Sequence, residues 1–251
     1  MKFFSIPPIN HLDLMEINDR YFCLAHLCEN KDYLEYFKKK SEEGKFVIID
    51  NGAAEKSLVN TEYLLNLIKT IRPTEIIAPD ILFDCDKTLE ELGAFQEKWN
   101  DLEYKPDVMG VPQGDNPESY LACYLEMLHN SFVKTIGLSK ISIPKSFAEI
   151  TGSYSVSVNR RYLIKLLNEL DLIKKPLHLL GMRNPNEYKA YKHDLIRSSD
   201  SCYTILSAIN NKTLKDIQDD INETPENYFH LILTNKQLEL AKLNINTLNT
   251  I

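Results

Sequence analysis

The sequence predicts an α/β protein, and within that class an eight-stranded (β/α)8 TIM barrel forming one domain over residues 1–251. Short apolar runs alternate along the chain with longer amphipathic stretches, which is typical of repeated strand–helix units. The apolar runs are continuous, as expected for parallel strands buried on both faces. The length of 251 residues matches the ~250 residues of such a barrel. A doubly wound open sheet has the same local pattern and is the main alternative.

Seven strand–helix units follow one another along the chain. The predicted strands cover residues 21–25, 46–50, 75–78, 107–112, 134–138, 176–180 and 194–198. The predicted helices cover residues 31–43, 61–70, 87–99, 117–129, 158–170 and 185–192, with a seventh ending near residue 210. Local signals support these bounds: the run FVIID is a nearly wholly apolar strand, Gly44 ends the first helix, and Pro117 occupies a first helical turn.

The eighth strand is the least defined of the set. Its best candidate is residues 228–233, which read YFHLIL and are rich in residues that favour strands. The tail after it, residues 235–251, is predicted to be either a helix or a loosely held end.

Composition excludes several classes of protein. The net charge of −7, from 29 Lys and Arg against 36 Asp and Glu, argues against a strongly cationic nucleic-acid binder but leaves room for a local basic patch. Five scattered cysteines favour a reduced, intracellular protein over a disulfide framework. No run of about 18 apolar residues occurs, and residues 1–10 lack the features of a signal peptide. We therefore expect a cytoplasmic protein with no membrane partner.

Polar side chains stand at the ends of four predicted strands, namely Asp50, Asp80, Gln113 and Asp200. In a barrel the carboxyl ends of the strands meet at one mouth, where active sites are built. The alternative for each residue alone is a turn or helix-cap role, for which Asp is also favoured. The four together favour a shared pocket.

Four short segments in this order carry a resemblance to a known family. They read DNGA at residues 50–53, VPQG at 111–114, LLGMRNP at 179–185 and IRSSDSC at 196–202. The set resembles the motifs of the tRNA-guanine transglycosylases, the queuine tRNA-ribosyltransferase superfamily, including their compact phage and bacterial relatives that modify DNA. The resemblance implies a (β/α)8 barrel that exchanges a guanine in a polynucleotide for a free 7-deazaguanine base.

The resemblance also implies roles for residues of this chain. Asp200 matches the nucleophile that attacks the sugar, and Asp50 matches the acid/base carboxylate. The groups that hold the base are matched by Gln113, by Asp80 or else Asp84, and by the backbone of Gly137 and Gly181. The family's tRNA enzymes have a late zinc site of cysteines and a histidine, whereas no cysteine follows Cys202 here. We therefore expect no metal or other cofactor, and a compact relative acting on DNA rather than tRNA.

The remaining expectations concern partners and alternatives. A polynucleotide substrate requires contacts to phosphates, for which the cationic candidates are Lys140, Lys145, Arg160, Arg161, Arg183 and Arg197. Tyr154, in the predicted loop at 151–157, is one candidate for stacking on a base, but the chain has thirteen tyrosines and the sequence does not single this one out. His178 is interpreted as a core or pocket-wall histidine. Family members are often homodimers, and a phage-encoded protein would act in the host cytoplasm. Two other functions stay open: a hydrolase using the same carboxylates, and a non-catalytic barrel that binds a partner.

Overall fold

The computed structural model describes residues 1–54, 58–191, 194–214 and 224–249. Its strands are β1 (Lys2–Ser5), β2 (Arg20–Leu24), β3 (Phe46–Asp50), β4 (Glu75–Ile77), β5 (Asp107–Gly110), β6 (Val133–Leu138), β7 (Leu177–Leu179) and β8 (Ile196–Ser201). The α-helices are α1 (Lys31–Glu42), α2 (Thr61–Ile71), α3 (Cys85–Asn100), α4 (Pro117–His129), α5 (Ser142–Thr151), α6 (Val156–Glu169), α7 (Pro185–Ala190), α8 (Tyr203–Ile209) and α9 (Asn235–Asn249). Short 3-10 helices cover Ile9–Ile17, Ala25–Leu27 and Tyr228–His230.

The strands form one parallel sheet in the order β1-β8-β7-β6-β5-β4-β3-β2. Its two end strands, β1 and β2, meet through the rings of Phe4 and Phe22, whose centroids are 6.2 Å apart. The sheet therefore curls into a nearly closed barrel with alternating helices, a single-domain (β/α)8 fold. The predicted fold class is confirmed, and the open doubly wound sheet is excluded.

Two strand assignments differ from the sequence prediction. The chain enters the barrel at β1, which precedes the first predicted strand and pairs with β8 in parallel. The predicted strand at 228–233 is wrong, because Tyr228–His230 is a 3-10 helix. Its β-favouring residues instead contact the start of the chain: the Tyr228 hydroxyl donates to the carbonyl of Ile6 at 2.6 Å, and the backbone N–H of Leu233 donates to His11 Nε2 at 2.8 Å.

The other differences are smaller. Helix α5 was not predicted; its Pro144 lies in the first turn, where no backbone N–H is required. Strand β8 ends three residues later than predicted, so Asp200 lies within it rather than after it. The predicted helix at 185–192 ends at Ala190 in the structure, and residue 192 lies outside the described residues. The tail over 235–249 is helix α9, which packs against α8.

Side-chain caps fix where several helices begin. An Asn or Asp at the N-cap accepts a hydrogen bond from a backbone N–H of the first turn, which replaces a partner that the helix itself lacks. The capping residues are Asn30, Asn60, Asp84, Asn116 and Asn184. Among the described helices, none is both long and apolar enough to cross a membrane.

The barrel interior is apolar in its middle and ionic at its floor. The apolar cluster comprises Phe4, Phe22, Leu24, Ile48, Ile77, Met109 and Val111. At the amino ends of the strands, Arg197 binds Glu75 through two hydrogen bonds of 2.6 and 3.2 Å, and it also donates to Thr135 Oγ1 at 3.1 Å. A register shift between β7 and β8 accompanies the inward turn of Arg197. This floor ion pair lies at the end of the barrel opposite the mouth.

Candidate functional site

A cavity of about 310 Å³ opens at the carboxyl ends of the strands. Its polar lining includes three carboxylates that the sequence places far apart, those of Asp50, Asp80 and Asp200, together with Asn51 and Lys140. The apolar part of its wall includes Phe22, Leu24, Met182, Tyr228 and Phe229. The expectation that these carboxylates share a pocket agrees with this arrangement, whereas the contribution of residues 228–229 follows only from the tertiary structure.

Asp200 is held through one of its two carboxylate oxygens. Its Oδ1 accepts a hydrogen bond from the backbone N–H of Gly181 at 3.1 Å and lies 2.9 Å from His178 Nε2. Both contacts fall on the same oxygen, and no described residue makes a hydrogen bond to Oδ2. One carboxylate oxygen is thus anchored, and the other, on a side chain that lines the cavity, accepts from none of the described residues.

The proton positions along this contact follow from the carboxylate at its end. Arg197 Nε donates to Ser198 Oγ at 3.2 Å, and Ser198 Oγ lies 2.7 Å from His178 Nδ1. Because a carboxylate can only accept, a neutral His178 that bonds to it carries its proton on Nε2, and its Nδ1 then accepts from the Ser198 hydroxyl. A continuous polar network thereby runs from the floor ion pair to the cavity.

The residue types Ser198, His178 and Asp200 are those of a serine-hydrolase triad, but their placement is different. In a triad the serine faces the substrate and the aspartate is buried behind the histidine. Here Ser198 is 1% exposed and lies below the histidine, away from the described cavity lining, whereas Asp200 faces the cavity. The arrangement therefore presents a carboxylate to a ligand rather than a serine hydroxyl.

His178 is further fixed by aromatic packing. Its ring stacks on Phe22 at 5.9 Å with an interplanar angle of 9°, and it meets Phe4 edge-on. The histidine is fully buried, as the sequence interpretation of a core or pocket-wall residue requires. Its contact with Asp200 was not anticipated, because alternation along a strand gives the side on which a residue lies but not its partner.

Asp50 ends β3 at the opposite side of the same cavity lining. Its Oδ2 accepts from the backbone N–H of Gly52 at 3.1 Å, a local turn in which Gly52 has a φ of +82°. The next residue, Asn51, accepts from the N–H of Ala53 at 2.9 Å through its own side-chain oxygen. These short-range contacts hold the strand exit, so the position of Asp50 depends on the DNG sequence itself.

Asp80 is a buried carboxylate supplied with two amide donors. Asn51 Nδ2 donates to its Oδ1 at 2.6 Å, and Gln113 Nε2 donates to its Oδ2 at 2.5 Å. Burial raises the pKa of Asp80 to about 6, although these two hydrogen bonds oppose the shift. Asp80 therefore changes its charge just below neutral pH.

Gln113 and Asp84 take supporting positions. Gln113 is fully buried behind Asp80; its Oε1 accepts from the N–H of Phe83 at 3.1 Å, so both ends of its amide are engaged by the protein. It is not part of the described cavity lining, and we infer that it positions Asp80. Asp84 caps α3 and pairs with Lys87 at 2.9 Å. Of the two aspartates considered for the pocket, Asp80 is the one that lines it.

The two predicted glycines differ in position. Gly181 lines the cavity with a φ of +66°, and a Cβ there would lie 2.2 Å from Lys140 Cδ. A glycine is thus needed both for the backbone conformation and for the lysine stem that packs across it. Gly137 lies deeper, where a Cβ would meet Leu180 and Val111 at 2.9 and 3.0 Å. It makes room for interior packing rather than forming part of the described lining.

Two of the cationic candidates cannot contact a phosphate in this structure. Arg160 is fully buried, where it forms an ion pair with Glu187 at 3.1 Å and donates to the carbonyl of Leu180 at 2.8 Å. Arg197 belongs to the floor ion pair at the far end of the barrel. The sequence shows that these residues are cationic, but it shows neither whether a side chain is buried nor at which end of the barrel it lies. By contrast, Lys140 and Arg183 line the cavity, and Lys145 and Arg161 are exposed on α5 and α6.

The fold and site together define a TIM barrel with a carboxylate-rich cavity at its mouth, the place where enzymes of this fold bind their substrates.

Among the described residues, no group of three or more His, Cys, Asp or Glu side chains is arranged to hold a metal ion. No protein-family model matches the sequence, and a comparison with curated proteins finds no match.

Proposed function

We propose that this protein is a base-exchanging glycosyltransferase that replaces guanine in a polynucleotide, DNA in preference to tRNA, by a 7-deazaguanine base. The observation that carries the proposal is the meeting of Asp50, Asp80 and Asp200 in one cavity of about 310 Å³. That volume lies at the lower end of the range for small-molecule sites, as a nucleobase and its sugar require. The ordered resemblance to transglycosylase motifs supports the assignment of roles.

Two successive displacements at the sugar carbon C1′ account for the exchange. In the first, a carboxylate oxygen of Asp200 forms a bond to C1′ while the bond from C1′ to the guanine nitrogen breaks, and Asp50 gives the leaving base a proton. In the second, Asp50 takes a proton from the incoming base, whose nitrogen bonds to C1′ and releases Asp200. Two inversions retain the configuration at C1′.

Asp80 supplies the recognition of the base edge. When ionised, its oxygens accept hydrogen bonds from the ring N–H and the amino group of a guanine-like base. Its fixed donors, Asn51 and Gln113, hold the carboxylate plane in place. Because C1′ and the base must reach a cavity inside the barrel mouth, a duplex substrate has to release the target nucleotide from its stack.

The direct test is an incorporation assay. The protein is incubated with DNA or with tRNA and a labelled guanine or 7-deazaguanine base, and the nucleosides are then analysed by mass spectrometry. We expect the label in the polymer and unlabelled guanine in solution. Release of guanine without incorporation would instead identify a hydrolase. Neither release nor incorporation, with either polymer, would fit the non-catalytic barrel and contradict the proposal.

The pKa of Asp80 predicts a pH dependence of base binding. Because burial raises this pKa to about 6, Asp80 is ionised above pH 6 and protonated below it. Protonation removes an acceptor, so the KM for the free base is expected to rise about tenfold per pH unit below 6. Initial rates at several base concentrations between pH 5 and 8 measure this. The Asp84→Asn variant should show the same profile, and a KM that is flat from pH 5 to 7 would contradict the role of Asp80.

His178 is predicted to act as a positioning residue for Asp200. The His178→Phe variant keeps an aromatic ring but loses the Nε2 donor, so we expect kcat to fall about 100-fold. The KM for the free base should change little, because His178 does not line the described cavity. Steady-state kinetics separate the two parameters. His178→Gln, which places an amide nitrogen near Nε2, should recover much of the activity. If both variants raise KM and lower kcat to the same extent, the role of His178 is purely structural.

A further inference from the structure

The segment from residue 130 to residue 168 has a charge opposite to that of the whole chain. It contains six Lys and Arg residues and a single acidic residue, Glu149, in a protein of net charge −7. Four of these cations, Lys134, Lys140, Lys145 and Arg161, form no ion pair with a described residue, whereas Lys165 pairs with Glu169 at 3.7 Å. Three of these four cations lie in α5, in α6 or directly before α5, so positive charge that no described carboxylate pairs with is concentrated there.

Tyr154 stands between these two helices with 84% of its surface exposed, the highest value among the large apolar side chains of the described residues. A ring this exposed leaves its face available for a base to stack on. Ile150, four residues earlier in the last turn of α5, is also exposed. The ring and the unpaired cations occupy the same stretch of sequence.

The loop that carries Tyr154 is held in place by a buried side chain. Asn159 is fully buried, and its Nδ2 donates to the carbonyls of Ser153 and Ser155 at 2.7 and 2.8 Å, on either side of the tyrosine. Its Oδ1 accepts from the hydroxyl of Thr151 at 2.8 Å. The whole amide of a buried asparagine thus serves to fix the backbone that presents Tyr154, which lowers the entropy lost when a ligand covers the ring.

This loop lies at the mouth end of the barrel. Residues 139–141, directly before α5, line the cavity, and the ten residues of α5 span about 15 Å. At the far side of the loop, Arg160 of α6 reaches the carbonyl of Leu180, next to the cavity residue Gly181. Tyr154 is therefore separated along the chain from the cavity residues 139–141 by the single short helix α5.

We propose that Lys140, Lys145, Tyr154 and Arg161, here named the α5–α6 rim, bind the single-stranded stretch of polynucleotide that flanks the nucleotide in the cavity. Tyr154 stacks on a flanking base, and the cations contact phosphates. Surfaces for single strands combine these two elements, because every base has a face that an aromatic ring can cover. The inference rests on the proposed function, since it places the same polymer across the same mouth.

A binding assay without any free base tests the rim separately from catalysis. The full-length protein is titrated into a fluorescein-labelled single-stranded DNA of twelve nucleotides, and anisotropy is followed at several salt concentrations. Tyr154→Ala is expected to weaken binding roughly 5- to 100-fold, whereas Tyr154→Phe keeps the stacking face and should stay within about twofold of the parent. The double variant Lys145→Gln/Arg161→Gln should lower the slope of log Kd against log salt by about 1.4.

Matched controls lie at the opposite end of the barrel. Leu170→Ala removes an exposed apolar side chain at the end of α6, and Lys134→Gln removes an exposed cation at the start of β6; both should bind like the parent. The proposal is overturned if the parent does not bind the strand, or if Tyr154→Ala and the double variant bind as it does.

The two proposals fail in distinguishable ways. Binding that depends on Tyr154, without any base exchange, would contradict the proposed transglycosylase alone. Base exchange that is unchanged in Tyr154→Ala, with unchanged strand affinity, would contradict the rim alone.

Discussion

Replacing Asp200 by asparagine is expected to reduce base exchange by at least about four orders of magnitude and to abolish any covalent adduct with the polynucleotide. The amide is not a nucleophile at C1′, yet it has nearly the same shape as the carboxylate and can still accept the hydrogen bonds from Gly181 and His178 at its oxygen. The fold should therefore persist. Denaturing gels of trapped protein–DNA adducts and the incorporation assay measure both effects.

Asp107→Asn provides the matched control for this variant. Asp107 is an exposed carboxylate at the start of β5, at the opposite end of the barrel, so its loss should leave exchange unchanged. Exchange by Asp200→Asn at more than a few per cent of the parent rate would show that Asp200 is not the nucleophile.

The second large effect concerns stability. Arg160→Met is expected to lower the free energy of unfolding by about 3–5 kcal/mol, because it leaves the carboxylate of Glu187 buried without its cation. Both side chains are fully inaccessible in the ion pair, and Glu187 also accepts from the hydroxyl of Tyr191 at 2.9 Å. Urea denaturation followed by circular dichroism measures the change.

Two further variants separate the cost of a lone charge from that of lost packing. The double variant Arg160→Met/Glu187→Met removes both charges and should recover a large part of the loss, since apolar pairs often replace buried ion pairs at little cost. Arg161→Met, at an exposed position of the same helix, should change the free energy of unfolding by less than about 0.5 kcal/mol. A loss below about 1 kcal/mol in Arg160→Met would contradict the assignment of a buried ion pair.

The sequence predicts the architecture because the barrel repeats a local pattern. Continuous apolar strands and amphipathic helices occur often enough that one misplaced unit does not change the fold class. Strand β1 escaped prediction because it is four residues long and prolines follow soon after it. Residues 228–233 have the composition of a strand, but strand formation depends on an available neighbour, and β1 already pairs with β8.

The site was predictable to the extent that strand ends determine it. Asp50, Asp80 and Asp200 share a cavity because parallel strands end on one side, a rule that needs no tertiary knowledge. Local patterns do not specify contacts between residues far apart in sequence. Gln113 bonds to Asp80, 33 residues away, and His178 bonds to Asp200, 22 residues away. Arg160 illustrates the same limit, because nothing adjacent to it in sequence reveals Glu187.

The ion pair of Arg197 and Glu75 has a consequence for the order of events in the proposed exchange. Among the described residues, this pair and the apolar cluster above it fill the barrel below the cavity, so we expect the departing guanine and the incoming base to use the same mouth. The first base has to leave before the second can enter, and during this time the sugar stays covalently bonded to Asp200. Double-displacement kinetics, with parallel lines in reciprocal plots, are therefore expected, because the sugar stays bonded to Asp200 between the departure of one base and the arrival of the next.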